Sequence, residues 1–214
     1  DQVGSYLRPD ALKTAREQYA KGEITQAALL QVQHAAIKDL VDAQVAAGLS
    51  AVTDGEFNRS LWHLDFLGQL GGFEFYDQEE SYKFHGEKTR STNIRLTGPV
   101  HANLNHPFFD DFKYLQSIVP EGVEPKVTIP SPSLIINRDQ RSDGWADYYP
   151  TWQTFLDDLA QAYHDTLQHF YDLGARYIQL DDTTWAYLIA QLNANADDPA
   201  ARAPFEQTAQ DDVY

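Results

Sequence analysis

"AAGLSAVTD" (residues 46–54) and "YDLGARYIQLD" (residues 171–181) are built alike: a helical run ends at a glycine, an apolar strand follows, and the strand finishes on an acid. Before the first, Leu29, Leu30, Ile37, Leu40, Val41 and Val45 recur at helical spacing behind Thr25, a capping residue. Before the second, Leu156, Leu159, Tyr163, Leu167 and Phe170 line one helical face. The repeated joint is of βα type, and strands alternating with helices of this length predict a parallel sheet covered on both faces, hence an α/β fold.

Working outward, "VGSYL" (3–7) is a short apolar start, and Pro9 and Asp10 precede a helix from Ala11 to about Ala20. "NIRLTGPVH" (93–101) reads as a strand, residues 107–119 as a helix, "KVTIPSPS" (126–133) as a strand, and Thr183 to Ile189 as a helix. This makes five strands, near residues 3, 52, 96, 128 and 179. Residues 61–86, rich in aromatics and glycines, fit helix and hairpin elaboration. No linker rich in Pro, Gly or Ser interrupts the chain, so residues 1–214 read as part of one domain.

α/β enzymes keep their chemistry at the carboxyl ends of parallel strands. At the five predicted ends stand Gly4 and Ser5, Asp54 and Glu56, Thr97 to His101, Ser131 and Ser133, and Asp181 and Asp182. Any one of them can be a helix cap. As a set they predict a functional cleft. Alternation along an extended strand puts Val52, Asp54 and Glu56 on one face, where two carboxylates can bind an ammonium or act as acid and base. Asp181 and Asp182 are adjacent and point apart, so one can face a cleft while the other supports the following helix.

Composition narrows the class. With 32 acidic and 16 basic residues the net charge is -16, which repels a phosphate backbone or an anionic membrane surface. No apolar stretch approaches the roughly 20 residues needed to span a bilayer. A soluble, cytoplasmic protein with small-molecule substrates is expected. Cysteine is absent, which removes disulfides and thiolate chemistry from these residues. Of the seven histidines, His34, His164 and His169 fall on helices, whereas His63, His85, His101 and His106 fall in loops and stay candidates. None has the paired spacing of a two-histidine zinc helix, and no phosphate-loop pattern occurs. Trp62, Trp145, Trp152 and Trp185 read as core or core-edge residues.

"VGSYLRP", "AVTDGEFNRSLWHLDFL", "KVTIPSPS" and "YIQLDDTTWAYL" together resemble the shorter, single-domain relatives of cobalamin-independent methionine synthase, with strands in matching order over essentially the whole chain. The resemblance implies a (β/α)8 barrel of the TIM type, of which residues 1–214 would hold about five of eight βα units, with an elaborated insertion around 61–90. It implies a methyltransferase in which zinc binds the homocysteine thiolate and a methyl group passes to sulfur. Zinc coordination deprotonates a thiol whose ordinary pKa is about 8.5 while leaving it nucleophilic. The same resemblance implies that Gly4 and Ser5 hold the amino-acid backbone of homocysteine and that Glu56 and Asp181 take its ammonium. Asp54 and Ser131 join them as substrate-binding candidates.

Two departures qualify what the resemblance implies. The family's zinc ligands, a His-x-Cys pair, a glutamate and a further cysteine, lie on strands after the one ending at Asp181. Five strands also fall short of a barrel that needs eight and typically ~250 residues. The expectation is therefore the amino-terminal part of a longer protein, unable by itself to bind zinc or transfer a methyl group. Where folate-dependent synthases place a tryptophan that stacks on the pterin, this chain has "IINRDQ" (135–140), with Asn137 and Arg138. The methyl donor is open between folate and another source. Two other classes fit the carboxylates alone: a barrel glycoside hydrolase pairing Asp54 or Glu56 with Asp181, and a non-catalytic amino-acid-binding protein.

Overall fold

A computed structural model describes residues 2–77, 83–84, 87–88, 91–136 and 141–211. His85, Asn137, Arg138 and part of the elaboration around 61–90 lie outside the described residues. In chain order the elements are α1 (Asp10–Ala20), α2 (Gln26–Ala46), β1 (Ala51–Val52), α3 (Leu64–Leu67), β2 (Gly71–Asp77), β3 (Lys83–Phe84), β4 (Glu87–Lys88), β5 (Thr92–His101), α4 (Pro107–Ile118), β6 (Glu124–Pro130), α5 (Ser133–Ile136), a single 3-10 turn (Trp145–Asp147), α6 (Trp152–Asp172), β7 (Tyr177–Asp181), α7 (Thr184–Ala194) and α8 (Pro199–Asp211). No described helix is long and apolar enough to cross a membrane.

The repeated joint has a physical basis. At the end of α2 the Leu49 amide donates to the Gln44 carbonyl and the Gly48 amide to that of Val45. At the end of α6, Ala175 donates to Phe170 and Gly174 to Tyr171 in the same two-bond pattern. This is the Schellman arrangement, which places the residue after the cap in the left-handed region, and Gly48 (φ 84°) and Gly174 (φ 103°) occupy it. Each helix is thus stopped and its chain turned into the next strand. At the other end of α2, Thr25 Oγ1 accepts from the Ala28 amide at 3.2 Å, as its capping role predicts.

The chain folds into two compact units. The first comprises residues 1–65, 104–129 and 166–179. Its core gathers Leu12 and Ala15 of α1, Leu29, Ile37 and Val41 of α2, Val52 of β1, Phe57, and Leu115 of α4. Ladder pairing is parallel between β1 and β6, Ala51 opposite Glu124 and Val52 opposite Pro125. The three-stranded order is β1-β6-β7. Near residue 3 the expected strand is reduced to one parallel bridge between Ser5 and Gly55, with the Tyr6 amide donating to the Gly55 carbonyl at 3.1 Å.

The second unit comprises residues 66–103, 130–165 and 180–214. Its sheet overturns one expectation: β5, read as a strand of the parallel set, pairs antiparallel with β2. Phe73 faces Leu96, Phe75 faces Ile94, and Glu74 pairs with Arg95 on the exposed side. Antiparallel strands tolerate one solvated face and are stabilised by their cross-strand side-chain pairs, which suits a segment with one apolar and one polar face. Thr97 to His101 therefore belong to this hairpin and not to a rim of parallel strands. Buried Arg141 ties it inward, its Nε donating to Asn93 and its Nη1 to the Leu134 carbonyl.

Candidate functional site

The first unit brings Gly4, Ser5, Asp54 and Glu56 together at the end of β1. Here the backbone is not extended: Gly55 (φ 69°) and Glu56 (φ 58°) are both left-handed. Alternation consequently stops at Val52, and the expected shared face of Val52, Asp54 and Glu56 gives way to a tight turn. Glu56 is the one non-glycine residue with positive φ among the described residues, a conformation that persists only where its surroundings impose it.

Those surroundings are specific. Thr53 Oγ1 donates to the Gly4 carbonyl at 2.6 Å and accepts from the Gly55 amide at 3.2 Å. Buried Gln44 acts as a substitute strand neighbour, its Nε2 donating to the Thr53 carbonyl and its Oε1 accepting from the Thr53 amide. Asp54 Oδ1 accepts from the Glu56 amide at 2.9 Å. The Glu56 carboxylate is buried and accepts from Thr128 Oγ1 at 3.0 Å, with Arg59 Nη1 at 3.3 Å. Arg59 itself donates to the Thr128 carbonyl and lies over the Phe108 ring, 4.4 Å from its centroid.

Gly4 closes this arrangement from the amino-terminal side. Its φ is 152°, and a Cβ there would stand 2.7 Å from Thr128 Cγ2 and 3.3 Å from Glu56 Oε1. Only glycine brings the 4–5 backbone this close to the carboxylate. Ser5 beside it is exposed.

In the second unit Ser131 and Asp181 meet through the main chain, the Ser131 amide donating to the Asp181 carbonyl at 2.8 Å. Of the two adjacent acids, Asp182 has the helix-supporting contacts. Asp182 Oδ1 accepts from the Thr184 amide at 2.7 Å and so supports the start of α7, while its Oδ2 lies 3.4 Å from Ser131 Oγ. Thr184 Oγ1 donates to Ser133 Oγ at 3.1 Å.

The histidines divide. His106 is buried and its Nδ1 accepts from the Phe108 amide as the cap of α4, and His101 is exposed with Nδ1 3.1 Å from the Pro99 carbonyl oxygen. His34 stacks on Tyr114 and His169 meets Phe109 edge-on. Trp185, read as core or core-edge, is 41% exposed. Among the described residues no three His, Cys, Asp or Glu side chains gather to hold a metal ion.

One functional candidate escaped the sequence. Asp111 of α4 accepts from Asn58 Nδ2 at 2.5 Å, and its carboxyl is pushed up to about 7 by burial first and by the charge of Asp54 second, against the pull of Asn58 and Arg59. Asp54, Arg59, Asp111 and Lys126 line a void of about 10 Å³, roughly one water's worth of space. Nothing in "PFFDDFKYL" distinguishes Asp111 from Asp110 except helical phase, which turns Asp111 inward beside Phe112.

The cobalamin-independent synthase catalytic domain matches residues 1–210. This chain belongs to that family. The uncharacterized protein YxjG of Bacillus subtilis is 41% identical over 191 residues, covering 89% of this chain and 50% of YxjG. A methionine synthase of Sulfolobus acidocaldarius is 28% identical over 182 residues, covering 84% of this chain and 50% of that protein. A crystal structure from Listeria monocytogenes, provisionally named a vitamin-B12 independent methionine synthase, superimposes with a TM-score of 0.71 at 39% identity, over 88% of this chain and 52% of that one. The chain thus spans about half the length of these members of the cobalamin-independent synthase family, whose fold is mixed α/β.

Proposed function

We propose that this chain carries the amino-acid-binding part of a methyltransferase that passes a methyl group to the sulfur of homocysteine. The observation that carries the reading is the Gly4–Glu56 approach: a carboxylate held by Thr128 and Arg59 directly beside a backbone segment that only glycine can bring there. A zwitterion needs both parts, a carboxylate for its ammonium and backbone groups for the rest. Family membership supports methyl transfer as the chemistry.

In this reading Glu56 and Asp181 take the ammonium, Gly4 and Ser5 hold the amino-acid backbone, and Asp54 and Ser131 complete the binding groups. Glu56 is fixed before the ligand arrives, because Thr128 and Arg59 leave it little rotamer freedom. Asp54 fixes the Glu56 backbone from the other side. These residues orient an amino acid; they do not move a proton. The zinc that the family implies finds no fit here: the chain has no cysteine, and no three donors gather among the described residues. No residue of this chain is given a metal role, and the methyl donor is left unassigned.

The test is binding of homocysteine to the full-length enzyme and to Glu56→Gln. Losing a charge-assisted contact worth about 1.5–3 kcal/mol weakens binding roughly tenfold or more. Equal affinity would remove Glu56 from the site.

A further inference from the structure

Asp111 reaches the substrate turn from behind. It is not itself a predicted ligand-binding residue, yet it holds Asn58, the residue before Arg59, and Arg59 is the buried partner of Glu56. The same helix supplies Phe108, on whose ring the Arg59 guanidinium rests. We propose that Asp111 is a positioning residue that makes the grip of the turn on a ligand ammonium depend on pH. This rests on the reading that Glu56 binds the ammonium.

The charges facing Asp111 decide the direction. From the turn these are Asp54 and Arg59; from β6, Lys126 lines the same void; on its own helix Asp110 is exposed and pairs with Lys113. Glu56 acts through Arg59. Counting Asp54, Glu56 and Asp111 against Arg59 and Lys126, the cluster carries one negative charge in excess when all are ionised and none when one carboxyl keeps a proton. Asp111 is the carboxyl that keeps it near neutral pH, because burial and Asp54 both disfavour its ionised form. Once ionised, Asp111 attracts Arg59 away from Glu56 and adds negative potential behind the turn. Both effects favour an incoming ammonium.

A unit charge added about 8 Å from an ammonium, at an effective dielectric near ~40, changes affinity roughly fivefold. The experiment titrates L-methionine, which has the ammonium but no ionising thiol, into the full-length enzyme between pH 6 and 8 by calorimetry. Wild-type affinity is expected to rise roughly fivefold, with its midpoint near pH 7. Asp111→Asn keeps an acceptor for Asn58 and is expected to show a flat profile. Asp110→Asn, the exposed neighbour, is expected to follow the wild type. The carbon-13 signal of the Asp111 carboxyl in the wild-type protein reports its ionisation whether or not the Asn variant folds. A carboxyl titrating near pH 4, or an Asp111→Asn enzyme that keeps the pH rise, overturns the proposal. Wild-type binding that is flat with pH overturns the proposal alone, whereas no binding at any pH overturns the ammonium reading and the proposal with it.

Discussion

Gly4 and Glu56 are in contact range by design of the backbone: a methyl group on Gly4 would meet Glu56 Oε1 at 3.3 Å and Thr128 Cγ2 at 2.7 Å. Gly4→Ala combines that crowding with a φ of 152° that side chains rarely adopt. Strain of this kind costs about 1–3 kcal/mol. A thermal scan is expected to show a lowered Tm, and methionine titration a weakened affinity, since the displaced carboxylate belongs to the same turn. An unchanged Tm would mean that the amino-terminal segment is free to move aside.

Glu56→Gln tests the buried pair from the other side. Arg59 and Glu56 have side chains only 4% and 7% exposed, and removing the Glu56 charge takes from Arg59 its ion-pair partner. Breaking such a pair costs about 3–5 kcal/mol, the low end applying here because Gln retains an acceptor for Thr128. Urea unfolding measures this. A loss below about 1 kcal/mol would indicate that water reaches Arg59.

Asp111 gives stability an unusual pH dependence. Its carboxyl rises from 3.8 to about 7 on folding, so between those values the folded state binds more protons than the unfolded one. Stability from this group is full below pH 4, declines as pH rises through 4 to 7, and is level above; the total is up to about 4 kcal/mol. Asp111→Asn is expected to remove this decline and to be the more stable protein at pH 8. Parallel pH profiles for the two proteins would contradict the assignment.

The two acids at the end of β7, Asp181 and Asp182, separate binding from folding. Asp182 supports the start of α7 through the Thr184 amide, so Asp182→Ala is expected to cost about 1 kcal/mol, as lost caps do. Its effect on methionine affinity is expected to be small. Asp181→Asn is expected to do the reverse, weakening binding roughly tenfold while Tm stays nearly constant. If the two variants exchange these effects, Asp181 is the structural acid.

Much of the fold was legible because it rests on local rules. Gly48 and Gly174 end their helices through the same two hydrogen bonds, and Thr25 caps α2, as the residue types predict. The errors arise where neighbours in space overrule the local pattern. In β5 the buried Ile94 and Leu96 alternate with the exposed Arg95 and Thr97, a one-sided pattern that in itself favours the hairpin with β2. Strand alternation misplaces Glu56, because it does not survive the left-handed pair Gly55–Glu56. The helix at 199–211 begins with Pro199 behind Asp198, whose Oδ1 accepts from the Ala200 and Ala201 amides, and this pair is a helix-start signal carried by the residue types themselves. Asp111 had no signal beyond phase, because its importance lies in Asn58 and Asp54, far away in sequence.

The most direct test of the central claim compares L-methionine with the same compound lacking its amino group, titrated by calorimetry into the full-length enzyme and its Glu56→Gln and Asp181→Asn variants. The wild type is expected to prefer methionine by roughly tenfold or more, and each variant to narrow this preference without changing affinity for the deaminated compound. Equal affinity of the wild type for both compounds would contradict the assignment of Glu56 and Asp181 to the ammonium.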